Sequence, residues 1–251
     1  MASIGRMVPG VSSACLEHEH LARYQFACEF ARDCAVLDVA CGMGYAAPLF
    51  VQAGAAKYVG VDLDEETVNA AAECYGGGDR IRFHVDNACE LRRVAADSFD
   101  LVVSFETIEH VSSPEAFLLN VRRVLRRNGT FIVSTPNRLR YSPGNDLLSK
   151  PWNPFHWREW NTNEFVELLK TDFRVVDVLG QLPIAGWKAR VFDLAARHSS
   201  VNTVLEAVQR VRHGPPQMNP VPKMPPSSAL AVQRVRRLRV PLYTVCVAKP
   251  L

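Results

Sequence analysis

The sequence has little net charge, no paired cysteine motif, no apolar leader and no long unbroken apolar run. Its 29 Lys and Arg against 26 Asp and Glu leave a formal charge of +3. That is too little for a non-specific nucleic-acid footprint, although a local basic patch is still allowed. The seven cysteines include no C-x-x-C pair, which argues against a zinc ribbon or a disulfide scaffold and fits a reducing cytosol. The first thirty residues carry charges from Arg6 to Glu29 and no apolar stretch, so no signal peptide is read and a cytoplasmic location is expected. The longest uncharged run, residues 39–56, is interrupted by Gly42, Gly44, Pro48, Gln52 and Gly54. It is a poor membrane span and a good strand–turn–helix. No internal repeat is evident. What is present is 251 residues that are 48% apolar and 22% charged, enough for a sizeable core and for a single α/β unit with insertions.

Residues 16–33 read as an amphipathic helix, with Leu16, Leu21, Tyr24, Ala27, Cys28 and Ala31 at helical spacing. Strands and helices then alternate. Strands are expected over 35–40, 57–62, 80–85, 99–105 and 130–135, and helices over 45–53, 65–75 and 114–126. Pro114 opens the last of these helices and Asn128-Gly129 is expected to close it. A short helix over 162–170 and a sixth strand over 173–179 follow. Residues 187–212 look like two helices split at Ser199-Ser200, and residues 214–226 hold six of the sixteen prolines in a stiff loop. A final β-rich run covers 242–248. The alternation predicts an α/β fold, a parallel sheet covered on both faces. One domain is expected over residues 1–251, with an insertion at 186–240 before the last strand.

The strongest local signal is Asp38-Val39-Ala40-Cys41-Gly42-Met43-Gly44. Glycines just past a buried strand let the backbone turn tightly and approach a ligand. The third glycine of a dinucleotide fingerprint is missing. Asp62 ends the second strand, twenty residues after Gly42, where a carboxylate can accept both hydroxyls of a ribose. Asp86-Asn87 ends the third, where an acid can accept an adenine amino hydrogen. All three places are carboxyl ends of parallel strands, where open α/β sheets bind ligands.

Glu106, Glu109 and His110 follow the fourth strand. Their i, i+3, i+4 spacing puts them on one face of a helical turn, a set suited to a divalent metal. The other readings are a metal-free histidine base and a capping or packing role. His156, after the fifth strand, is a fourth candidate ligand from another loop. That loop, residues 137–161, contains Trp152, Trp157 and Trp160, three of the four tryptophans. Their flat faces suit sugar rings or bases, or else they anchor the loop. Arg138, Arg140 and Lys150 would add a preference for an anionic substrate. Glu17-His18-Glu19-His20 alternate and so point apart on a helix. The basic run from Arg234 to Arg239 reads as a solvated face.

These motifs resemble the class I S-adenosylmethionine-dependent methyltransferases. D-x-A-C-G-x-G, then Gly60-Val61-Asp62, then Asp86-Asn87, then S-F-D-L-V-V-S over 98–104, then N-G-T-F-I-V-S-T-P-N over 128–137 occur in the family's order, across about residues 20–180. The resemblance implies a Rossmann-like, doubly wound, seven-stranded sheet with an antiparallel last strand, and S-adenosyl-L-methionine as methyl donor. It implies that Asp38 and the backbone at Ala40, Gly42 and Gly44 hold the methionine part. Asp62, with Leu63 beside it, would hold the ribose, Asp86 and Asn87 would flank the adenine, and Phe105 would line the methyl-donor pocket. Asn128 stands where many members have a further Gly, a change that the tolerance of Asn for positive φ makes small.

The start of the chain resembles methyltransferases found beside bacterial glycan-assembly enzymes, which implies that helix 16–33 is a lid and that Arg23 and Tyr24 touch the cofactor. Glu106-x-x-Glu109-His110 with the later His156 near Glu159-Trp160 resembles the metal-dependent 2′-O-methyltransferases of small-RNA 3′ ends, and the ubiquinone-pathway O-methyltransferases share a similar motif. Glu106, Glu109, His110 and His156 would then hold magnesium, or manganese, with Glu106, His110 and His156 also serving catalysis. The function implied is O-methylation of a sugar hydroxyl in a saccharide or glycoside, such as a polysaccharide precursor. The alternatives are an RNA 3′-terminal ribose, a catechol in quinone or natural-product synthesis, or a cofactor-binding regulatory subunit without catalysis. The expected partner is a small-molecule or oligosaccharide substrate, with a second copy of the chain as one option. No nucleic acid and no membrane span are expected.

Overall fold

The computed structural model describes residues 14–182, 232–234 and 241–251. The two helices expected across 187–212, the proline loop at 214–226 and most of the insertion lie outside these residues. In chain order the elements are α1 (Ala14–Cys28), β1 (Ala35–Val39), α2 (Ala47–Gln52), β2 (Lys57–Asp62), α3 (Glu65–Tyr75), β3 (Ile81–Val85) and β4 (Phe99–Phe105). A single 3-10 turn (Ile108–His110), α4 (Pro114–Val124), β5 (Leu125–Pro136), α5 (Arg138–Tyr141), α6 (Thr162–Leu169), β6 (Phe173–Gln181), β7 (Gln233–Arg234) and β8 (Tyr243–Pro250) follow.

The strands form one sheet in the order β3-β2-β1-β4-β5-β8-β6-β7. β8 runs antiparallel to β5 on one side and to β6 on the other. Leaving aside the two-residue β7, this is the seven-stranded sheet of the class I methyltransferases. The strand order reverses between β1 and β4, which pair in parallel through Val36↔Leu101 and Leu37↔Val102. Such a switch point opens a crevice at the carboxyl ends of the strands.

Alternate residues of each strand face opposite layers. Leu37, Val39, Val102, Phe131 and Val133 pack under Phe117, Leu118 and Val121 of α4 and Phe165 of α6. Val36, Leu101, Val103 and Ile132 pack under Tyr24 and Ala27 of α1 and Phe50 of α2. α3 and α4 start on side-chain caps, Asp64 accepting from the Thr67 amide and Ser113 from that of Ala116, while Asn161 and Glu164 close a capping box at α6.

Most element ends differ from expectation by no more than two residues, whereas the end of α1 and the junction between α4 and β5 depart further. α1 stops at Cys28 because the next amides of Glu29, Phe30 and Ala31 bond three residues back, to Phe26, Ala27 and Cys28, and Asp33 then turns left-handed at φ 60°. α4 stops at Val124 because Leu125 becomes extended and pairs with Phe99. Asn128 and Gly129 are therefore inside β5 and do not close the helix. Neither has positive φ, so the tolerance of Asn for that region is not used.

Candidate active site

A cavity of about 520 Å³ lies over the switch point. Its floor is made by the residues that end each strand: Ala40 to Gly42 after β1, Asp62 and Leu63 at β2, Asp86 to Ala88 after β3, Phe105 to Thr107 at β4 and Pro136 at β5. Leu16, His20 and Tyr24 of α1 form one wall, and Tyr141, Asn153, Phe155, His156 and Tyr243 another.

The turn after β1 uses positive φ at Ala40 (63°), Gly42 (53°) and Gly44 (70°). A Cβ added at Gly42 would meet nothing within 4 Å, so the backbone there is open to a ligand. Asp62 locks this turn to the next. Its Oδ2 accepts from the Gly42 amide at 3.0 Å and its Oδ1 from that of Asp64 at 3.1 Å. Asp86 accepts from the amides of Asn87, Arg92 and Arg93 at 2.8, 3.1 and 2.8 Å. Three of its roughly four lone-pair sites are thus spent on its own loop.

Of the eleven residues expected to bind the cofactor, eight line the cavity: Tyr24, Ala40, Gly42, Asp62, Leu63, Asp86, Asn87 and Phe105. Arg23, Asp38 and Gly44 do not. Asp38 is fully buried beneath the floor, where it accepts from Tyr58 at 2.7 Å and from Tyr24 at 3.3 Å. It holds a wall residue in place and does not itself face the ligand space. Arg23 is fully buried as well. It donates to Gln181 and lies 4.4 Å over the Tyr243 ring.

Glu106, Glu109, His110 and His156 all line the cavity, but not as the helical spacing implies. Glu106 is left-handed at φ 54° and precedes the 3-10 turn, so it shares no helical face with Glu109 and His110. Its Oε1 accepts from Ser134 at 2.6 Å. The convergent group is Glu109, His110 and His156, whose candidate ligand atoms all lie within 4.8 Å of one another.

The tautomers in this group are fixed by its neighbours. His110 Nδ1 is 3.0 Å from the Phe155 carbonyl. A carbonyl only accepts, so Nδ1 carries the proton and Nε2 offers a lone pair. His156 Nδ1 is 2.6 Å from Glu159 Oε1, and Asn153 donates its amide to Nε2 at 2.9 Å. Asn153 Oδ1 accepts from the Phe155 amide, which fixes the orientation of that side chain. Glu109 is fully buried. Its Oε2 accepts from Thr135 at 3.1 Å, whereas Oε1, 4.0 Å from His110 Nε2, has no hydrogen-bond donor among the described residues. Burial, and then the Glu106 charge, push the Glu109 carboxyl well above the usual carboxylate range. Burial also lowers His110 and keeps it neutral, as a ligand must be.

The loop at 137–161 carries the helix α5 and is therefore not structureless. Trp160 is core, at 2% exposure, and bridges to Asn137, whereas Trp157 is 68% exposed. The Arg138 guanidinium is not available to an anion, because it is buried against both Glu164 oxygens. Sequence reasoning overlooked Asn153, Tyr141 and Tyr243, which had no local signal, and named Glu159 only as a neighbour of His156 without giving it a role.

Residues 37–133 match the family described as "Methyltransferase domain". The sheet order is that of the class I S-adenosylmethionine-dependent methyltransferase fold, and the match spans its β1–β5 part. It is similar to a protein of Mycolicibacterium smegmatis named "Probable S-adenosylmethionine-dependent methyltransferase", at 42% identity over 70% of this chain and 63% of that protein. A like-named Mycobacterium tuberculosis protein is 40% identical over 67% of this chain and 57% of its own length. The chain thus spans about six-tenths of these two relatives. A ubiquinone biosynthesis O-methyltransferase of Cereibacter sphaeroides is 28% identical over 74% of this chain and 81% of that one. An S-adenosylmethionine-dependent methyltransferase structure from Mesorhizobium loti superposes with a TM-score of 0.58 at 16% identity, covering 90% and 95% of the two chains. The cyclase SpnF superposes at 0.62 and 17% identity, covering 97% and 85%. One fold therefore hosts different reactions, and the site must decide among them. Among the described residues no helix is long and apolar enough to cross a membrane.

Proposed function

We propose that this cavity catalyses S-adenosylmethionine-dependent, metal-assisted O-methylation of a sugar hydroxyl in a saccharide or glycoside. The observation that carries the reading is the Glu109 Oε1 atom: buried, without a donor, and facing the lone pair of His110 Nε2. A carboxyl oxygen and an imidazole lone pair brought together suit a cation, which would take the place of the proton that burial favours on Glu109. His156 is oriented by the Glu159 carboxylate in the way that supporting carboxylates orient metal-bound imidazoles, and it would exchange the Asn153 amide for the ion. Glu109, His110 and His156 would hold magnesium or manganese. Glu106 is the fourth expected ligand, but its carboxylate turns to Ser134, so we assign it to proton transfer.

A divalent cation supplies Lewis acidity that lowers the pKa of a hydroxyl oxygen. The chain's own residues do the rest. Tyr24 and Phe105, packed edge to face at 4.9 Å, present aromatic surface to the sulfonium, while Asp62 and the open backbone at Gly42 hold the ribose and the methionine. In the transfer the methyl carbon–sulfur bond breaks as the carbon–oxygen bond forms. The hydroxyl proton passes to Glu106, whose carboxyl is raised by burial toward the range useful for a base. Phe155, shared between the cavity and the loop that carries exposed Trp157, supports a sugar ring as acceptor.

A second reading draws on the Glu159–His156–Asn153 chain: a metal-free His156 base held in one tautomer by Glu159. Methyl transfer to a panel of glycosides, oligosaccharides, short RNAs and catechols, with and without EDTA, separates the two. The metal reading expects activity to vanish in EDTA and return with Mg2+ or Mn2+. It also expects Glu109→Gln to lower kcat at least about 100-fold, the scale of lost metal or outer-shell support. Undiminished activity in EDTA leaves the histidine base.

A further inference from the structure

Tyr141 and Tyr243 stand side by side on the cavity wall, their rings 5.8 Å apart, and the chemistry above does not use them. Tyr243 donates its hydroxyl to Glu19 Oε2 at 2.9 Å, and Tyr141 donates its own to the Tyr243 oxygen at 2.7 Å. The direction of this chain is forced. A carboxylate has no proton to give, so the Tyr243 proton is spent on Glu19. A phenol has one proton, so the second bond must use that of Tyr141. The Tyr141 oxygen is left with lone pairs and nothing to donate. The far end of the chain is tied down by α1 and β6, since the Glu19 carbonyl accepts from Gln181 at 3.0 Å and the Arg23 guanidinium covers the Tyr243 ring.

The Tyr141 ring also lies 6.3 Å from that of His156. Its lone pairs therefore belong to the acceptor end of the cavity and not to the Gly42 end. We infer that Tyr141 reads a hydrogen-bond donor on the acceptor: a second hydroxyl beside the one that is methylated. The substrate class is then a diol with neighbouring hydroxyls, not an isolated alcohol. A hydroxyl there satisfies an oxygen that has no other donor among the described residues, and a deoxy analogue leaves it without one. Sites built in this way discriminate strongly against the missing group. The inference rests on the O-methylation reading but not on the cation.

The test compares matched acceptors on the full chain saturated with S-adenosylmethionine: catechol against phenol, and methyl glucoside and methyl mannoside against their monodeoxy analogues. The natural chain should favour the diol in kcat/KM by at least about 100-fold. Tyr141→Phe should bring that ratio below about tenfold, chiefly through the KM of the diol, and calorimetric affinity for S-adenosylhomocysteine should be unchanged. A preference that survives Tyr141→Phe overturns the inference, as does transfer to monohydric acceptors only or to no diol at all. Weakened S-adenosylhomocysteine binding in Tyr141→Phe also overturns it, because the donor read would then be the cofactor ammonium. Diol preference that persists in EDTA removes the cation and leaves this inference standing.

Discussion

Asp38, next to last in β1, and Asp62, last in the neighbouring parallel β2, are only twenty-four positions apart, yet their surroundings give them different work. Asp62 faces the cavity and ties two backbone turns together. Asp38 faces the layer below, and burial, only partly offset by the Tyr58 and Tyr24 hydroxyls, pushes its carboxyl from 3.8 up to about 7. A raised carboxyl stabilises the fold while it is protonated. The contribution is complete below the unfolded value near 4 and is lost as pH rises through the folded value near 7. A rise from 3.8 to about 7 corresponds to roughly 4 kcal/mol across that window. Thermal unfolding from pH 4 to 8 checks this. The natural chain should lose stability on going from pH 4 to 7 relative to Asp38→Asn, which has no proton to lose. Parallel curves would contradict the assignment.

At the scale of elements, the turn after β1 depends on Gly44. A Cβ there would come within 2.5 Å of Phe83 and 2.9 Å of Ala71, at φ 70°. Left-handed backbone and overpacking together should cost about 3 kcal/mol in Gly44→Ala. That corresponds to a Tm lower by roughly 6–12 °C in calorimetry; an unchanged Tm would mean that the turn is not under this constraint. The elements themselves were largely legible. β2, α3 and β4 fall at the residues that the strand–helix alternation implies, and in the structure an Asp64 cap fixes the start of α3. The end of α4 was not legible, because pairing of Leu125 with Phe99 is a contact between elements that no local pattern encodes. The site was legible as a set of residue types at strand ends. Glu109, His110 and His156 do converge, but by a 3-10 turn and a returning loop whose Trp157 amide bonds the Glu109 carbonyl at 2.7 Å. Helical periodicity wrongly added Glu106 to that face.

The whole molecule joins two half-sites across one sheet. The β1–β3 ends and α1 line the side of the cavity that we assign to the cofactor, and β4, β5 and the loop at 137–161 line the side that we assign to the acceptor. α1 belongs to both the core and the wall, since Tyr24 packs with Phe50 and Phe105 while Glu19 and Arg23 reach β6 and β8. α1 therefore lines one side of the cavity and is hydrogen-bonded to residues of the other. The most direct test is titration of EDTA-stripped protein with Mn2+, read by calorimetry and paramagnetic resonance. The account predicts one bound ion per chain, proton release on binding as Glu109 ionises, and loss of the site in Glu109→Gln and in His156→Ala. Absence of binding by the natural chain, or equal binding by both variants, would contradict it.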